Sequence, residues 1–343
     1  MSRFVPGLEL ARGFYAEVVA PLVADVPHSA ALLGWGSDVL GFDTDRSTDH
    51  GWGPRLQLFV GERDVHALDE LLDARLPETC GGRPVRFGWN EHPVVKRVEV
   101  TTLARWLEQQ LGLDPRPTPT FREWLTMPQQ SLLEVTAGDV FHDGLGEVAP
   151  LRTALAWYPD EVWLWLLACQ WRRLGQEEPF VGRAAEVGDD LGSRIVATRL
   201  VRDLVRLCFL LERRYATYSK WLGSAFRRLD AHETLATPLA AALAAEDFPA
   251  REAALVHAFE EVARRHNALG LTDELDVTVR LFHSRPFRVL ASQRFADACY
   301  ERLSDPWLRS LPPVGAIDQL VDSTDVLSYP HRARRIAAIY EAD

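Results

Sequence analysis

The feature that most constrains this chain is a change of hydrophobic period at Tyr158-Pro159. Before it, short alternating runs read as strands. Arg55 to Val60 sets Leu56, Leu58 and Val60 on one face, and Arg83 to Trp89 reads the same way. Val94 to Thr101 carries Glu99 between Val98 and Val100, and Val135 to Phe141 reads as a last strand before a turn at Asp143-Gly144. Helices are expected over Leu8 to Val26, from an Asp64 cap through Leu72, over Leu103 to Leu111 and over Val148 to Trp157; Pro115, Pro117 and Pro119 break the pattern. After Asp160 the period is 3.6 almost throughout: Val162 to Gly175, Gly192 to Tyr215, Ser219 to Leu229, Thr237 to Ala244, Ala250 to Leu269, Ala291 to Leu303 and Tyr329 to Tyr340. The expected fold class is α+β: a mixed sheet with flanking helices over 1–157, then an all-α domain over 158–343.

The balance of charge is acidic, net −11, which argues against a broad nucleic-acid footprint, since clustered positive charge supplies most non-specific affinity. Lys96 and Lys220 are the only lysines. Cys80, Cys169, Cys208 and Cys299 are widely spaced and suggest neither a zinc cluster nor a disulfide framework. The longest strongly apolar run, Val162 to Cys169, is too short to span a bilayer, and the N-terminus lacks the regions of a signal peptide. The expectation is a cytoplasmic protein with no membrane partner.

Chemistry concentrates between Gly36 and Val60, where a Gly-Ser pair is followed by Asp43, Asp45 and Asp49 and then by a strand. Gly36 has no Cβ and lets the backbone come close to a phosphate, while amide groups at a following helix start attract anionic charge. Carboxylates can hold the Mg²⁺ (or Mn²⁺) that a nucleoside triphosphate needs, because hard cations choose oxygen ligands. The alternative is a Gly-rich turn followed by an acidic surface loop.

Blocks along most of the chain carry a resemblance. Gly36-Ser37, an acid about a dozen positions later and a further acid on a later strand resemble the nucleotidyltransferase superfold of polymerase-beta-like enzymes. A following helical domain is similar to the layout of aminoglycoside and lincosamide nucleotidyltransferases. More specifically, the chain resembles an uncharacterised bacterial family, domain of unknown function four-zero-three-seven. The matching blocks are residues 36–43, 47–55, 140–143, 187–193, 220–223, 284–287 and 318–322.

The resemblance implies metal-dependent transfer of a nucleoside monophosphate, with ATP the first candidate donor, to a hydroxyl of a small-molecule acceptor. Such enzymes present two acids one residue apart on a strand, both pointing to one face. Asp49 takes the first position, but the second is Gly51, which favours an alternative: a nucleotide-binding protein with impaired catalysis. Modification of a protein or tRNA end is a further alternative. Asp43, Asp45 and His50 are substitute metal ligands, although a His beside a turn is more often only hydrogen-bonded. Glu99 is the expected third acid, with Glu134 as fallback. Ser37 and Gly36 are expected at phosphate, and Arg55 either at phosphate or paired with an acid. Trp52 stacks on a base or anchors the core.

In the helical half, Tyr218 and Lys220 are expected at the triphosphate, near Tyr215. Arg199, Arg202 and Arg206 share a helix face, with a self-paired stripe as the simpler reading. Glu178 and Asp189 are candidate general bases, or else capping and ion-pair residues.

Overall fold

The computed structural model describes residues 4–49, 51–90 and 92–341. His50 therefore lies outside the described residues. The chain is mixed α+β and falls into two compact units: Met1–Pro119 with Met127–Ala156 and Ser328–Arg334, and Thr120–Thr126 with Trp157–Leu327 and Arg335–Asp343.

The first unit opens with α1 (Gly7–Phe14), which continues through a π-helical stretch, Tyr15–Val19, into α2 (Ala20–Leu22). The strands β1 (His28–Leu32) and β2 (Leu56–Val60) follow, buried at every position. After β2 comes α3 (Val65–Arg75). Asp64 stands at its N-cap but its side chain accepts no capping bond, so the expected cap is not made.

Two small hairpins follow: β3 (Thr79–Cys80) with β4 (Arg83–Pro84), and β5 (Arg86–Trp89) with β6 (His92–Lys96). The single strand expected over Val94 to Thr101 is two strands. Arg97 breaks it, and β7 (Val98–Thr101) leaves the hairpin to join the main sheet. Next is α4 (Leu103–Leu111), whose Leu103, Trp106, Leu107 and Leu111 form its buried face.

The short α5 (Phe121–Thr126) belongs to the second unit. In the first unit, α6 (Gln129–Thr136) takes in Val135 and Thr136, the first two residues of the expected strand, and the extended segment is β8 (Asp139–Asp143). The run Leu132, Leu133, Val135 suits either period, and burial of Gln129, Leu132 and Val135 at helical spacing decides it. The unit's last long element is α7 (Val148–Ala154).

The main sheet runs β7-β2-β1-β8. β1 is antiparallel to both neighbours, and β2 is parallel to β7 with Gln57 opposite Glu99. Leu56, Leu58 and Val60 face one core with Phe14, Val19, Leu68, Leu72, Val85 and Val98. Each such side chain, fully buried, contributes roughly 1.5–3 kcal/mol. The opposite face carries Gln57 and Phe59, with Phe59 edge-on to Trp106 at 5.6 Å. Gln57 and Glu99 thus share a face by strand alternation.

The second unit is helical: α8 (Asp160–Glu186), α9 (Asp190–Leu211), α10 (Ser219–Phe226), α11 (His232–Ala244) and α12 (Phe248–Ala268), then α13 (Gln293–Arg302) and shorter turns. α8 runs past Gly175 and through Pro179, well beyond the expected end. Its buried residues continue through Glu178, Val181 and Gly182, so packing outweighs the hydrogen bond that Pro179 removes. No helix among the described residues is long and apolar enough to cross a membrane.

Candidate functional site

The segment leaving β1 is fixed at its start by two bonds: the Leu33 N–H donates to Gln57 Oε1 at 2.9 Å, and the Gly34 N–H to the Glu134 carbonyl at 2.7 Å. It then wraps a buried guanidinium. Arg55 donates through Nε to Asp38 Oδ2 (3.2 Å) and through Nη2 to Asp38 Oδ1 (2.7 Å) and the Trp35 carbonyl (2.7 Å). Its guanidinium also lies 4.5 Å from the centre of the Trp35 ring. Of the two uses open to Arg55, the structure has the acid pair. Asp38 Oδ1 further accepts from the Val39 N–H at 3.0 Å.

Gly36 has φ +133°, and a Cβ there would collide with Asp38 Oδ1 and Arg55 Nη2. The glycine therefore lets the backbone close over an internal ion pair. Ser37 is half-buried, and its carbonyl accepts from the Phe42 N–H at 2.7 Å.

The acids that follow are dispersed. Asp43 Oδ2 accepts from the Gly7 N–H (2.7 Å) and Trp52 Nε1 (3.0 Å), so it ties the loop to α1. Trp52 is 8% exposed and stacks on Phe4 with centroids 5.7 Å apart, an anchor. Asp45 opens an exposed 3-10 turn that Asp49 closes, and neither lies on β2. Gly51, where a second acid is expected, has φ +64°, and a Cβ would come within 2.8 Å of the Trp35 ring. That position is shaped for a left-handed residue beneath an indole.

Glu99 sits on β7 beside Gln57, whose Nε2 donates to Glu99 Oε2 at 3.5 Å. Its side chain opens to solvent, yet surrounding protein desolvates it enough to raise the carboxyl above its ordinary pKa. The Gln57 bond and the Arg55 charge oppose that rise. Glu134, on α6, is raised by burial in the same way, against its Gln130 bond and the Arg55 charge.

Trp35, Arg55, Leu56, Gln57, Lys96 and Glu99 help to line a cavity of about 370 Å³, with Asp69, Val95, Arg97 and Val98 completing it. Lys96 Nζ pairs with Asp69 at 3.0 Å and lies 3.7 Å from Asp73.

The donor set does not fit a two-metal centre. Glu99 faces an amide nitrogen rather than a second carboxylate, and Gln57 Oε1 is already bonded to Leu33. Asp69 is held by Lys96, Asp43 carries two bonds, and Asp49 is outside the cavity lining. Among the described residues no three His, Cys, Asp or Glu side chains gather as a metal would require.

In the helical unit the candidates are individually placed. Glu178 is buried on α8 and accepts from the Leu290 N–H (2.9 Å), the Ser292 N–H (2.8 Å) and Ser292 Oγ (3.3 Å). Burial pushes its carboxyl to about 7 against those bonds. Asp189 is the N-cap of α9, accepting from the Gly192 N–H at 2.8 Å. Both side chains serve the backbone. Arg199 pairs with Glu177, Arg202 with Asp322, and Arg206 donates to the Asp318 carbonyl, so the stripe is satisfied within the fold. Tyr218 precedes α10 and is half-exposed, Tyr215 is buried, and Lys220 is exposed with its ammonium 5.0 Å from the Trp221 ring.

Sequence reasoning missed Asp38, Gln57, Trp35 and Arg97. Gln57 carried a signal, a polar residue between Leu56 and Leu58 on a wholly buried strand. Asp38 adjoins the Gly-Ser pair but reads there as part of an acidic loop.

Residues 124–222 match the family model described as Domain of unknown function (DUF4037), the family that the sequence blocks resemble. No curated protein and no solved structure matches the chain.

Proposed function

We propose that this chain is a cytoplasmic nucleotide-binding protein of the nucleotidyltransferase fold, taking a nucleoside triphosphate, ATP first, beside Glu99 and Trp35. The observation that carries the reading is the cavity of about 370 Å³ that Trp35, Arg55, Gln57 and Glu99 line together. It offers an aromatic face and a few convergent polar groups, the composition of a small-molecule site. With Gly51 under Trp35 and Gln57 opposite Glu99, recognition stands where two-metal transfer would need paired acids.

A second reading keeps catalysis: transfer of a nucleoside monophosphate to a hydroxyl of a small-molecule acceptor. Glu99 favours it, since a carboxyl raised by desolvation in a cavity suits proton transfer from an acceptor hydroxyl. In that reading Arg55 holds the Gly36 loop, and no step is assigned to a metal.

Calorimetry with a non-hydrolysable triphosphate, run beside a pyrophosphate-release assay with labelled ATP and candidate acceptors, separates the two. Binding without turnover supports recognition, turnover supports transfer, and the absence of both overturns the nucleotide reading.

A further inference from the structure

Arg97 stands at the corner where β6 passes into β7. Its Nε donates to the Phe87 carbonyl at 2.8 Å and its Nη2 to the Pro93 carbonyl at 3.2 Å. The guanidinium lies 4.5 Å from the Trp89 ring centre and 5.0 Å from that of Phe87, and Arg97 is one of the residues that line the cavity. The other two cations of the lining are neutralised, Arg55 by Asp38 and Lys96 by Asp69. Among the described residues no carboxylate pairs with Arg97. Desolvation, and then the Arg55 charge, lower its pKa. A half-buried guanidinium with no carboxylate beside it costs stability that a bound anion would recover. Of the two acids in the lining, Asp69 is held by Lys96 and Glu99 is bonded to Gln57.

An aromatic shelf adjoins that charge. Trp35 is 46% exposed, its ring is backed by Arg55, and it lies 5.3 Å from Trp89, which lies 4.6 Å from His92. An exposed indole backed by a cation is a stacking surface for a planar ring.

We propose that Arg97 and Trp35 form an anion subsite that works without a divalent cation, Arg97 taking a phosphate group and Trp35 the base attached to it. The phosphate half stands alone; the base half rests on the nucleotide reading above. Protein guanidinium then supplies the charge that a metal supplies elsewhere, and among the described residues Arg97 Nη1 donates no hydrogen bond.

The test is calorimetry on the full chain with tripolyphosphate, ATP and adenosine, each in EDTA and in Mg²⁺. ATP should bind in EDTA within about threefold of its affinity in Mg²⁺, and Arg97→Gln should weaken ATP and tripolyphosphate roughly tenfold or more while leaving adenosine unchanged. Arg97→Lys should restore part of that loss. Trp35→Leu should weaken ATP and adenosine but not tripolyphosphate. Because Arg97 also holds the hairpin, the parent protein gives an independent readout: tripolyphosphate affinity in EDTA should fall as KCl rises from about 50 mM to about 300 mM. Binding of ATP only in Mg²⁺, with Arg97→Gln melting and binding like the parent, overturns the subsite and leaves the nucleotide reading standing. Tripolyphosphate bound in EDTA with ATP no tighter keeps the subsite and removes the nucleotide reading. No binding of any of the three removes both.

Discussion

Removing Asp38 perturbs the loop at its centre. Arg55 and Asp38 are both buried, with side chains 6% and 2% exposed, and joined by two charge-assisted bonds. In Asp38→Ala the guanidinium keeps its bond to the Trp35 carbonyl and its ring contact but loses both bonds to a carboxylate. Breaking a buried pair from one side costs about 3–5 kcal/mol, because the remaining charge stays desolvated. The lost Val39 N–H bond adds about 1 kcal/mol. Replacing both partners, Asp38→Leu with Arg55→Met, should recover most of the loss, since well-packed apolar pairs often match buried ion pairs. Because the chain holds two units, the assay is native-state amide exchange on residues 33–42 and 56–60, which reports this region alone. A loss below about 1 kcal/mol, the value of a surface pair, refutes the account, as does a double variant no better than the sum of the singles.

Gly51→Asp restores the expected second acid, but at φ +64° and against Trp35 it should cost roughly 1–2 kcal/mol and yield no pyrophosphate release; gained turnover would contradict the recognition reading. For Glu178, the folded carboxyl near 7 lies above the ordinary 4.5, so the folded state binds the extra proton. Its contribution should be whole below about pH 4.5 and lost as pH rises through 7, and urea melts of Glu178→Gln across pH 4 to 8 should lack that slope. All four cysteines are buried with their thiols raised by desolvation, Cys299 to about 12, so a thiol reagent should label none quickly until denaturant is added.

Much of the architecture was legible because burial follows period. Leu56, Leu58 and Val60 face the core as their alternation requires, and α9 and α12 lie close to where a 3.6 period puts them. What failed were places where a local pattern is ambiguous or overridden. Val135 and Thr136 open an expected strand yet close α6, and Pro179 ends a helix by propensity yet sits inside one that packing sustains. The site was half legible. Glu99 facing outward between Val98 and Val100 follows from alternation, whereas its partner Gln57 depends on the β2–β7 register, a long-range fact. Gly36 was recognisable as a close approach, but a short segment does not say whether phosphate or the Arg55–Asp38 pair comes close. Arg97 stood out in nothing but position, because a corner between two sheets leaves no period to read.

The most direct test of the central claim is a crystal structure of the full chain grown with a non-hydrolysable ATP analogue. Density for the nucleotide is predicted in the cavity bounded by Trp35, Gln57, Arg97 and Glu99, with the base against Trp35. An empty cavity at saturating analogue, or a nucleotide bound elsewhere on the chain, would contradict the account.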